Sequence, residues 1–379
     1  MQIYDLLNLS QSQFILNFEV LGTHRMKHDQ KTMVKLFSLT GILLFFLACG
    51  GNSDPSKFFS IQLENKTLHQ NEQVGVALKN KKGLEISNLH YYMDGQELPV
   101  ENGKITLDLP TLGNKKLVAK FDLEDQSVEV EEDLRLLAST APEVYTYEII
   151  NTYPHDTKAY TQGLEFHDGM LYESTGKKGA STVRKVNFET GEVLQKIDLD
   201  NSLFGEGITL MENRLYLLTW QSGMGFVYDA TNLEKIKSFT YGESRQGWGL
   251  CNDGKKIFKS DGTEKIWFLD PETLEETGHV ETVTNKSIFN MANELEYVDG
   301  KIYANVYQKE SMMIIDAVSG AIEGVINFGG LKSQVKKGTE WDDTNSVLNG
   351  VAYHPERGTF FVTGKNWDKL FEVHILKKN

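Results

Sequence analysis

The chain has 379 residues, 40% of them hydrophobic, which is enough for two domains with separate cores. Its formal net charge is −14, and no Lys/Arg-rich stripe follows the N-terminal region, which argues against a nucleic-acid partner. The two cysteines, Cys49 and Cys251, offer neither a disulfide framework nor the Cys/His spacing of a zinc site.

The N-terminal segment indicates export. Residues 1–25 do not fit the basic end of a signal peptide, so we expect translation to start at Met26 or Met33 and residues 1–25 to be an untranslated leader. Lysines then precede an apolar run, 36–47. This run has the length of a signal-peptide core and is too short to cross a bilayer comfortably.

The apolar run ends in Leu47-Ala48-Cys49-Gly50, which resembles a bacterial lipobox. The prediction is a lipoprotein signal peptide over 26–48, lipidation of Cys49 and a polar tether over 49–56. The protein would then be lipid-anchored in the bacterial cell envelope, at its periplasmic or outer-membrane face. An ordinary signal peptide with a chance cysteine is the alternative.

Residues 57–140 form a separate unit of short strands. Alternation of apolar and polar residues, with Gly, Asn and Pro between the segments, predicts strands at 58–63, 74–78, 89–93, 104–109 and 115–121. So many strands in so short a stretch predict a small β-sandwich, of which the immunoglobulin-like form is one possibility. The unit carries no cluster of candidate catalytic groups, so we interpret it as a spacer or docking module.

A repeated unit fills the rest of the chain. Segments with a turn residue before a short apolar strand recur at 160–164, 205–208, 247–250, 292–295 and 348–351. The spacing of roughly 40 to 55 residues is typical of propellers and solenoids. A second strand follows a tight turn in each unit, and an outer hairpin follows in most of them. Four strands per unit is the pattern of a propeller blade.

The fifth unit lacks its outermost strand, and residues 144–150 are predicted to supply it, because closure by the other terminus removes exposed sheet edges. We therefore predict an all-β chain with a five-bladed β-propeller over 143–379, and an open β-solenoid as the alternative. Blades around one axis would bring five side chains together, which are Gln162, Glu206, Trp248, Asn293 and Asn349.

The propeller region resembles the glutaminyl cyclases of the plant and bacterial type (glutamine cyclotransferases), which are five-bladed propellers. The motifs that carry the resemblance, in the family's order, are Thr161-Gln162-Gly163-Leu164, Tyr172-Glu173-Ser174-Thr175-Gly176 with Val183-Arg184, Phe204-Gly205-Glu206-Gly207, Gly247-Trp248-Gly249-Leu250, Ser260-Asp261-Gly262-Thr263, Asn293-Glu294-Leu295-Glu296-Tyr297, Leu348-Asn349-Gly350 and Val362-Thr363-Gly364-Lys365. They cover residues 145–376 and leave out the sandwich and the export segment.

The resemblance implies a reaction in which the α-amino group of an N-terminal glutamine attacks its own side-chain carboxamide. Pyroglutamate forms and ammonia leaves, so the substrates would be peptides or proteins with N-terminal glutamine. The amine must be neutral, which is accessible because α-amino groups titrate near 8. The carbonyl oxygen needs hydrogen-bond donors, and the departing nitrogen needs a proton.

The resemblance places the general acid/base on Glu206, which lies between two glycines that leave its carboxyl accessible. Nearby indoles, Trp220 and Trp248, would wall this carboxyl and raise its pKa by desolvation. The matching Lys365 would stabilise the oxyanion or hold Glu206 ionised. A carboxylate that caps a strand turn, and a surface lysine, are the alternatives.

The remaining candidates would bind substrate. Gln162, Asn293 and Asn349 would hold its carboxamide, amine and backbone carbonyl, with an interblade hydrogen-bond ring as the alternative. Trp220 and Trp248 match pocket aromatics, although aromatics in propellers are usually core. Tyr307 stands where relatives often carry tryptophan, which could shift substrate preference. Glu173 would bind the substrate amine or pair with Arg184.

No cofactor and no catalytic metal are expected, because the histidines are scattered among turns and strand ends. The other expected partner is the lipid bilayer, through Cys49, and we expect a monomer. Two further functions stay open. A cell-surface propeller could bind a peptide terminus without chemistry. A propeller hydrolase or lactonase would need an acidic calcium-binding cluster at the axis, which one carboxylate among amides supplies poorly.

Overall fold

The computed structural model describes residues 55–378. The predicted leader, the signal peptide and Cys49 lie outside this range. Regular structure within it consists of β-strands and two short 3-10 helices, Pro55–Phe58 and Lys332–Gln334, so the predicted all-β class is confirmed. No helix in residues 55–378 is long and apolar enough to span a membrane.

Two sheets make up the N-terminal unit. Its strands are β1 (Phe59–Leu63), β2 (Thr67–His69), β3 (Gln73–Asn80), β4 (Ile86–Met93), β5 (Gln96–Leu98), β6 (Lys104–Thr106), β7 (Gly113–Leu123) and β8 (Gln126–Leu137). They form the sheets β1-β3-β6 and β2-β8-β7-β4-β5. Alternate residues of both sheets share one core, to which Ile61, Val74, Met93, Leu117 and Leu136 belong.

Each predicted strand of this unit is present, as β1, β3, β4, β6 and β7. Three further strands were not predicted. Two of them, β2 and β5, are only three residues long, too short for a periodic pattern. The third, β8, alternates buried and exposed residues as strands do, but the many acidic residues of the stretch 129–133 make this pattern hard to recognise in the sequence.

The rest of the chain builds antiparallel sets of strands from the centre outward. The sets are β10 (Thr161–His167), β11 (Met170–Thr175), β12 (Thr182–Asn187) and β13 (Glu192–Asp198); β14 (Gly205–Met211), β15 (Arg214–Thr219), β16 (Met224–Asp229) and β17 (Lys235–Thr240); β18 (Leu250–Asn252), β19 (Ile257–Ser260), β20 (Lys265–Leu269) and β21 (Glu276–Glu281); β22 (Ala292–Val298), β23 (Lys301–Val306), β24 (Ser311–Asp316) and β25 (Ile322–Asn327); and β26 (Leu348–His354), β27 (Thr359–Gly364) and β28 (Lys369–Lys377).

The last set is completed from the other end of the repeat region, as predicted. Strand β9 (Glu143–Pro154) pairs antiparallel with β28. It also pairs in parallel with β25 through Glu143–Tyr145, so that the last two sets form one eight-stranded sheet. This second pairing was not predicted; it involves the N-terminal end of β9, at twelve residues one of the longest strands of the structure.

The first strands of the sets contact one another in a closed cycle, β10–β14–β18–β22–β26–β10. Glycines allow this close approach. A Cβ on Gly207 would lie 2.6 Å from the Cα of Gly249, and one on Gly249 would lie 2.0 Å from the carbonyl oxygen of Asn293. The equivalent position of β22 carries Glu294, which is fully buried and accepts hydrogen bonds from the backbone of both β10 and β26.

The N-terminal unit packs on the third and fourth sets. Glu281 of β21 accepts hydrogen bonds from the backbone and side-chain amides of Asn114, at 2.9 and 2.8 Å. His69 lies 3.0 Å from the carbonyl oxygen of Asn285. Val283 is buried within the core of the N-terminal unit. The contact between the two parts of the chain therefore combines the burial of an apolar side chain with hydrogen bonds.

Candidate active site

The five positions predicted to converge each lie at or just before the start of an innermost strand. Asn349 donates hydrogen bonds to the side-chain oxygen of Gln162 at 3.1 Å and to the carbonyl oxygen of Thr161 at 2.9 Å. The amide of Gly207, next to Glu206, donates to the carbonyl oxygen of Trp248 at 2.6 Å. The closed cycle of strands thus places residues that are far apart in sequence at one end of the ring.

Glu206 is buried there, with 4% of its surface exposed. Burial raises the pKa of its carboxyl well above the usual value, while the charge of Lys365 and the amide of Gln162 oppose this rise. The carboxyl therefore carries a proton at a pH where an ordinary glutamate is ionised. This is the state required of a group that donates a proton to a poor leaving group.

Lys365 follows the end of β27 and is 3% exposed. Its ammonium nitrogen lies 4.9 Å from the ring centre of Tyr160 and 5.6 Å from that of Tyr307. Burial lowers the pKa of this amine to about 8, although Glu206 acts to raise it. A cation between two ring faces is stabilised by the ring quadrupoles, so the site keeps a positive charge in an otherwise buried place.

The three candidate amides differ in their freedom. Gln162 and Asn349 are bonded to each other, and the side-chain oxygen of Asn349 is buried without a partner among residues 55–378. Asn293 is 4% exposed, and its side chain makes no hydrogen bond to the described part of the chain. The amide of Asn293 and the side-chain oxygen of Asn349 are therefore available for a ligand, whereas Gln162 is already bonded within the site.

Five aromatic residues form a chain around these groups, which we call the aromatic belt: Tyr160, Phe204, Trp220, Trp248 and Tyr307. Successive ring centres are 6.2 Å apart for Tyr160–Phe204, 5.6 Å for Phe204–Trp220 and 5.3 Å for Trp248–Tyr307. Lys365 connects Tyr307 back to Tyr160. All five rings are half-buried, and those of Tyr160 and Tyr307 face the ammonium group of Lys365.

The gap in the belt between the two indoles is bridged by Gln246. Its side-chain oxygen accepts hydrogen bonds from the indole nitrogens of Trp220, at 2.7 Å, and Trp248, at 3.0 Å.

Glu173 is engaged by protein groups. It accepts hydrogen bonds from His155 at 3.0 Å and Thr161 at 2.7 Å, and Arg184 lies 3.7 Å away. Burial alone would raise the pKa of this carboxyl, but His155 and Arg184 outweigh it and lower the pKa to about 2. Of the two roles predicted for Glu173, this arrangement favours pairing with Arg184 over binding a substrate amine.

His155 links two parts of the site and was not predicted. Its other ring nitrogen lies 2.8 Å from the carbonyl oxygen of Trp367, two residues after Lys365. Both ring nitrogens thus face acceptors, which requires a doubly protonated ring. The pKa of His155 is accordingly raised, because Glu173 outweighs the effect of burial.

The other residues that the sequence reasoning missed are Tyr160, Phe204, Gln246 and Glu294. Aligning the repeats could have found Glu294, because four glycines occupy its equivalent positions. Tyr160 directly precedes one recognised motif and Phe204 opens another, but only the folded chain brings them against Lys365 and Trp220. Across residues 55–378, no group of three or more His, Cys, Asp or Glu side chains is placed to hold a metal ion.

Comparison with known proteins relates most of the chain to one family. The sequence profile of the family described as glutamine cyclotransferase matches residues 122–375. A glutaminyl-peptide cyclotransferase of Arabidopsis thaliana is 40% identical over 233 residues, which are 60% of this chain and 71% of the relative. The crystal structure of Myxococcus xanthus glutaminyl cyclase is 34% identical with a TM-score of 0.58, covering 63% of this chain and 100% of that one.

Proposed function

Because the chain belongs to the glutamine cyclotransferase family, we propose that it is a glutaminyl-peptide cyclotransferase, which converts N-terminal glutamine to pyroglutamate and releases ammonia. The observation that carries the mechanism is the buried carboxyl of Glu206, whose pKa is raised, beside the buried amine of Lys365. A site that only binds a peptide terminus has no need of a buried carboxyl whose pKa is raised in this way.

In the proposed reaction the neutral α-amine attacks the side-chain carbonyl carbon of the same residue. A carbon–nitrogen bond to the amine forms, and the bond to the amide nitrogen breaks. Glu206 gives a proton to the departing nitrogen, which leaves as ammonia, and takes one from the attacking amine. The carboxyl thus ends in the protonation state in which it began.

Lys365 supplies the positive charge in this scheme. With a pKa of about 8, its amine is mostly protonated at neutral pH. It can therefore donate to the carbonyl oxygen while that oxygen carries negative charge, in a site from which water is largely excluded. The free amide of Asn293 orients the substrate, and Gln162, fixed by Asn349, faces Glu206.

The aromatic belt would hold the methylene groups of the glutamine side chain, with Trp220, Trp248 and Tyr307 as its walls. Tyr307 provides a ring and a hydroxyl in place of an indole, which leaves more room on that side. Glu173 contributes through the position of Thr161, to which it is bonded, and not by contact with substrate.

We also propose the finer architecture. Residues 143–379 would be a five-bladed β-propeller, supported by the closed cycle of innermost strands and by the pairing of β9 with β28. Residues 57–140 would be an immunoglobulin-like sandwich, supported by two sheets on one core. Its directed contacts through Asn114 and Glu281 support the role of a docked spacer.

We propose a place of action from the export segment. The lipobox-like sequence supports an enzyme anchored to the bacterial cell envelope through lipidated Cys49, with residues 26–48 removed. We also propose that the mature chain is monomeric. The sandwich would then separate the catalytic unit from the bilayer.

The test is incubation of the soluble chain, residues 50–379, with a short peptide that begins with glutamine. We expect stoichiometric ammonia and a matching loss of mass from the peptide. The same peptide with an acetylated N-terminus should release none, because its amine cannot attack. Binding of the glutamine peptide without ammonia release would instead identify a binding module.

A further inference from the structure

We propose that Gln246 is a positioning residue, which orients Trp220 and Trp248 and thereby sets the affinity of the pocket for the glutamine side chain. The inference deepens the proposed function and rests on it. Gln246 was not among the site residues predicted from the sequence. Its assignment comes from the bonds that its side chain makes and from the way its loop is held.

One oxygen of Gln246 serves both indoles. A carbonyl oxygen has two lone pairs, and the bonds from Trp220 and Trp248 use both of them. Indole nitrogens only donate, so each half-buried ring needs an acceptor to stay in place without an unpaired N–H. Within residues 55–378 neither indole nitrogen has another hydrogen-bond acceptor.

The same bond pair completes the belt. Phe204 packs on Trp220 and Tyr307 packs on Trp248, but the two indoles make no ring contact with each other. Gln246 is thus the link between the two halves of the wall. Loss of the Gln246 oxygen would remove the hydrogen bonds of both indoles at once, which substitution of a single belt residue would not do.

The loop that carries Gln246 is anchored by a buried polar cluster. Glu276 accepts hydrogen bonds from the backbone amides of Glu243 and Ser244, at 2.7 and 3.1 Å. Lys259, fully buried, contacts the hydroxyl of Ser244 and lies 3.6 Å from Glu276. This cluster fixes the loop just before Gln246.

The loop is fixed after Gln246 as well. The amide of Gly247 donates to the carbonyl oxygen of Trp220 at 3.0 Å, and that of Trp248 donates to Ser260 at 3.0 Å. A Cβ on Gly247 would lie 2.4 Å from the hydroxyl of Tyr241, so the chain passes too close for any other residue. With its backbone held on both sides, the Gln246 side chain is preorganised as an acceptor.

The position of Gln246 predicts which kinetic constant it affects. It makes no hydrogen bond or ion pair with Glu206 or Lys365 in the described part of the chain. Its removal should therefore weaken a contact that substrate and transition state share, which raises KM and leaves kcat nearly unchanged. A merely structural residue would instead lower the amount of folded enzyme and hence kcat.

The experiment compares Gln246→Leu and Gln246→Glu with the wild type. For Gln246→Leu we expect KM for a glutamine peptide to rise roughly tenfold, as for loss of a hydrogen bond in a pocket wall, with kcat nearly constant. Gln246→Glu should stay within roughly threefold of the wild-type KM, since a carboxylate oxygen accepts the same two bonds. The matched control is Gln195→Leu. Gln195 lies on the outer strand β13, where its side chain donates a hydrogen bond to the carbonyl oxygen of Asn232, and its replacement should change neither constant.

A second readout does not depend on turnover. With 15N-labelled indoles, the chain gives one side-chain signal for each of its five tryptophans. In Gln246→Leu the signals of Trp220 and Trp248 should shift and exchange faster with water, and the other three should stay. Titration with a pyroglutamyl dipeptide amide should show weaker binding in this variant.

Three results would overturn the proposal: unchanged indole signals, a fall in kcat at constant KM, or no rescue by Gln246→Glu. If the wild type released no ammonia, the proposed function would fail, but the indole signals and the titration would still decide the role of Gln246.

Discussion

Replacement of Glu206 by glutamine separates an enzyme from a binding protein most sharply. The amide has the shape of the carboxyl, so pocket and substrate contacts should persist, but it cannot pass a proton from the amine to the leaving nitrogen. General acid–base groups contribute roughly 10² to 10⁴ in rate, which is about 2.7 to 5.4 kcal/mol of barrier. We expect kcat to fall by that factor with little change in KM.

Stability should change in the opposite direction. Since burial raises the pKa of Glu206 in the folded state, the folded protein binds the proton of this carboxyl more tightly than the unfolded chain does. Its destabilising effect is absent below the unfolded pKa of about 4.5 and grows as pH rises toward the folded value. Glu206→Gln removes this effect, so its melting temperature at neutral pH should equal or exceed that of the wild type.

The assay is ammonia release from a glutamine peptide, with thermal melts of the same samples. Glu234→Gln, at an exposed position, serves as the matched control and should behave as the wild type. A Glu206→Gln enzyme that cyclises at the wild-type rate would refute the reasoning and leave Glu206 a structural residue.

Four other changes test the remaining parts of the molecule. Trp248→Ala should raise KM roughly tenfold by removing a wall of the pocket, with kcat less affected, in the same assay. Glu372 accepts hydrogen bonds from Arg357, Asn151, Tyr153 and Thr359, which outweigh burial and lower its pKa to about 2. The stabilisation that this ionised carboxyl provides should therefore be lost as pH falls from about 4.5 to about 2. In acid unfolding measurements, Glu372→Gln should not show this loss of stability. Deletion of residues 1–140 should leave an active, folded protein, whereas deletion of 1–150 should unfold it by removing much of β9; equal melting temperatures would contradict the closure. Cys49→Ala should abolish labelling with a radioactive fatty acid and leave the melting temperature unchanged.

Local pattern was enough for the strands and for the order of the units. Turn residues before β-branched and aromatic runs placed β10, β14, β22 and β26 within a residue or two, since such signals act over a few neighbours. Because each unit was expected to have four strands, the last unit was predicted to take one from elsewhere in the chain, and β9 supplies it. The parallel pairing of β9 with β25 joins positions some 180 residues apart, and no local signal encodes it.

The sequence by itself determined the family, the repeat and the residue types of the site, because Gln162, Glu206, Asn293 and Lys365 lie in motifs that short spacings define. Only the tertiary structure decided what each side chain meets. Glu173 sits in as strong a motif as Glu206, yet His155 and Arg184 lower the pKa of the Glu173 carboxyl, whereas burial raises the pKa of the Glu206 carboxyl. Gln246 became visible only when a loop brought its oxygen between two indoles. Protonation and hydrogen bonding depend on neighbours within a few ångströms, and in a closed ring of strands most of those neighbours come from distant parts of the chain.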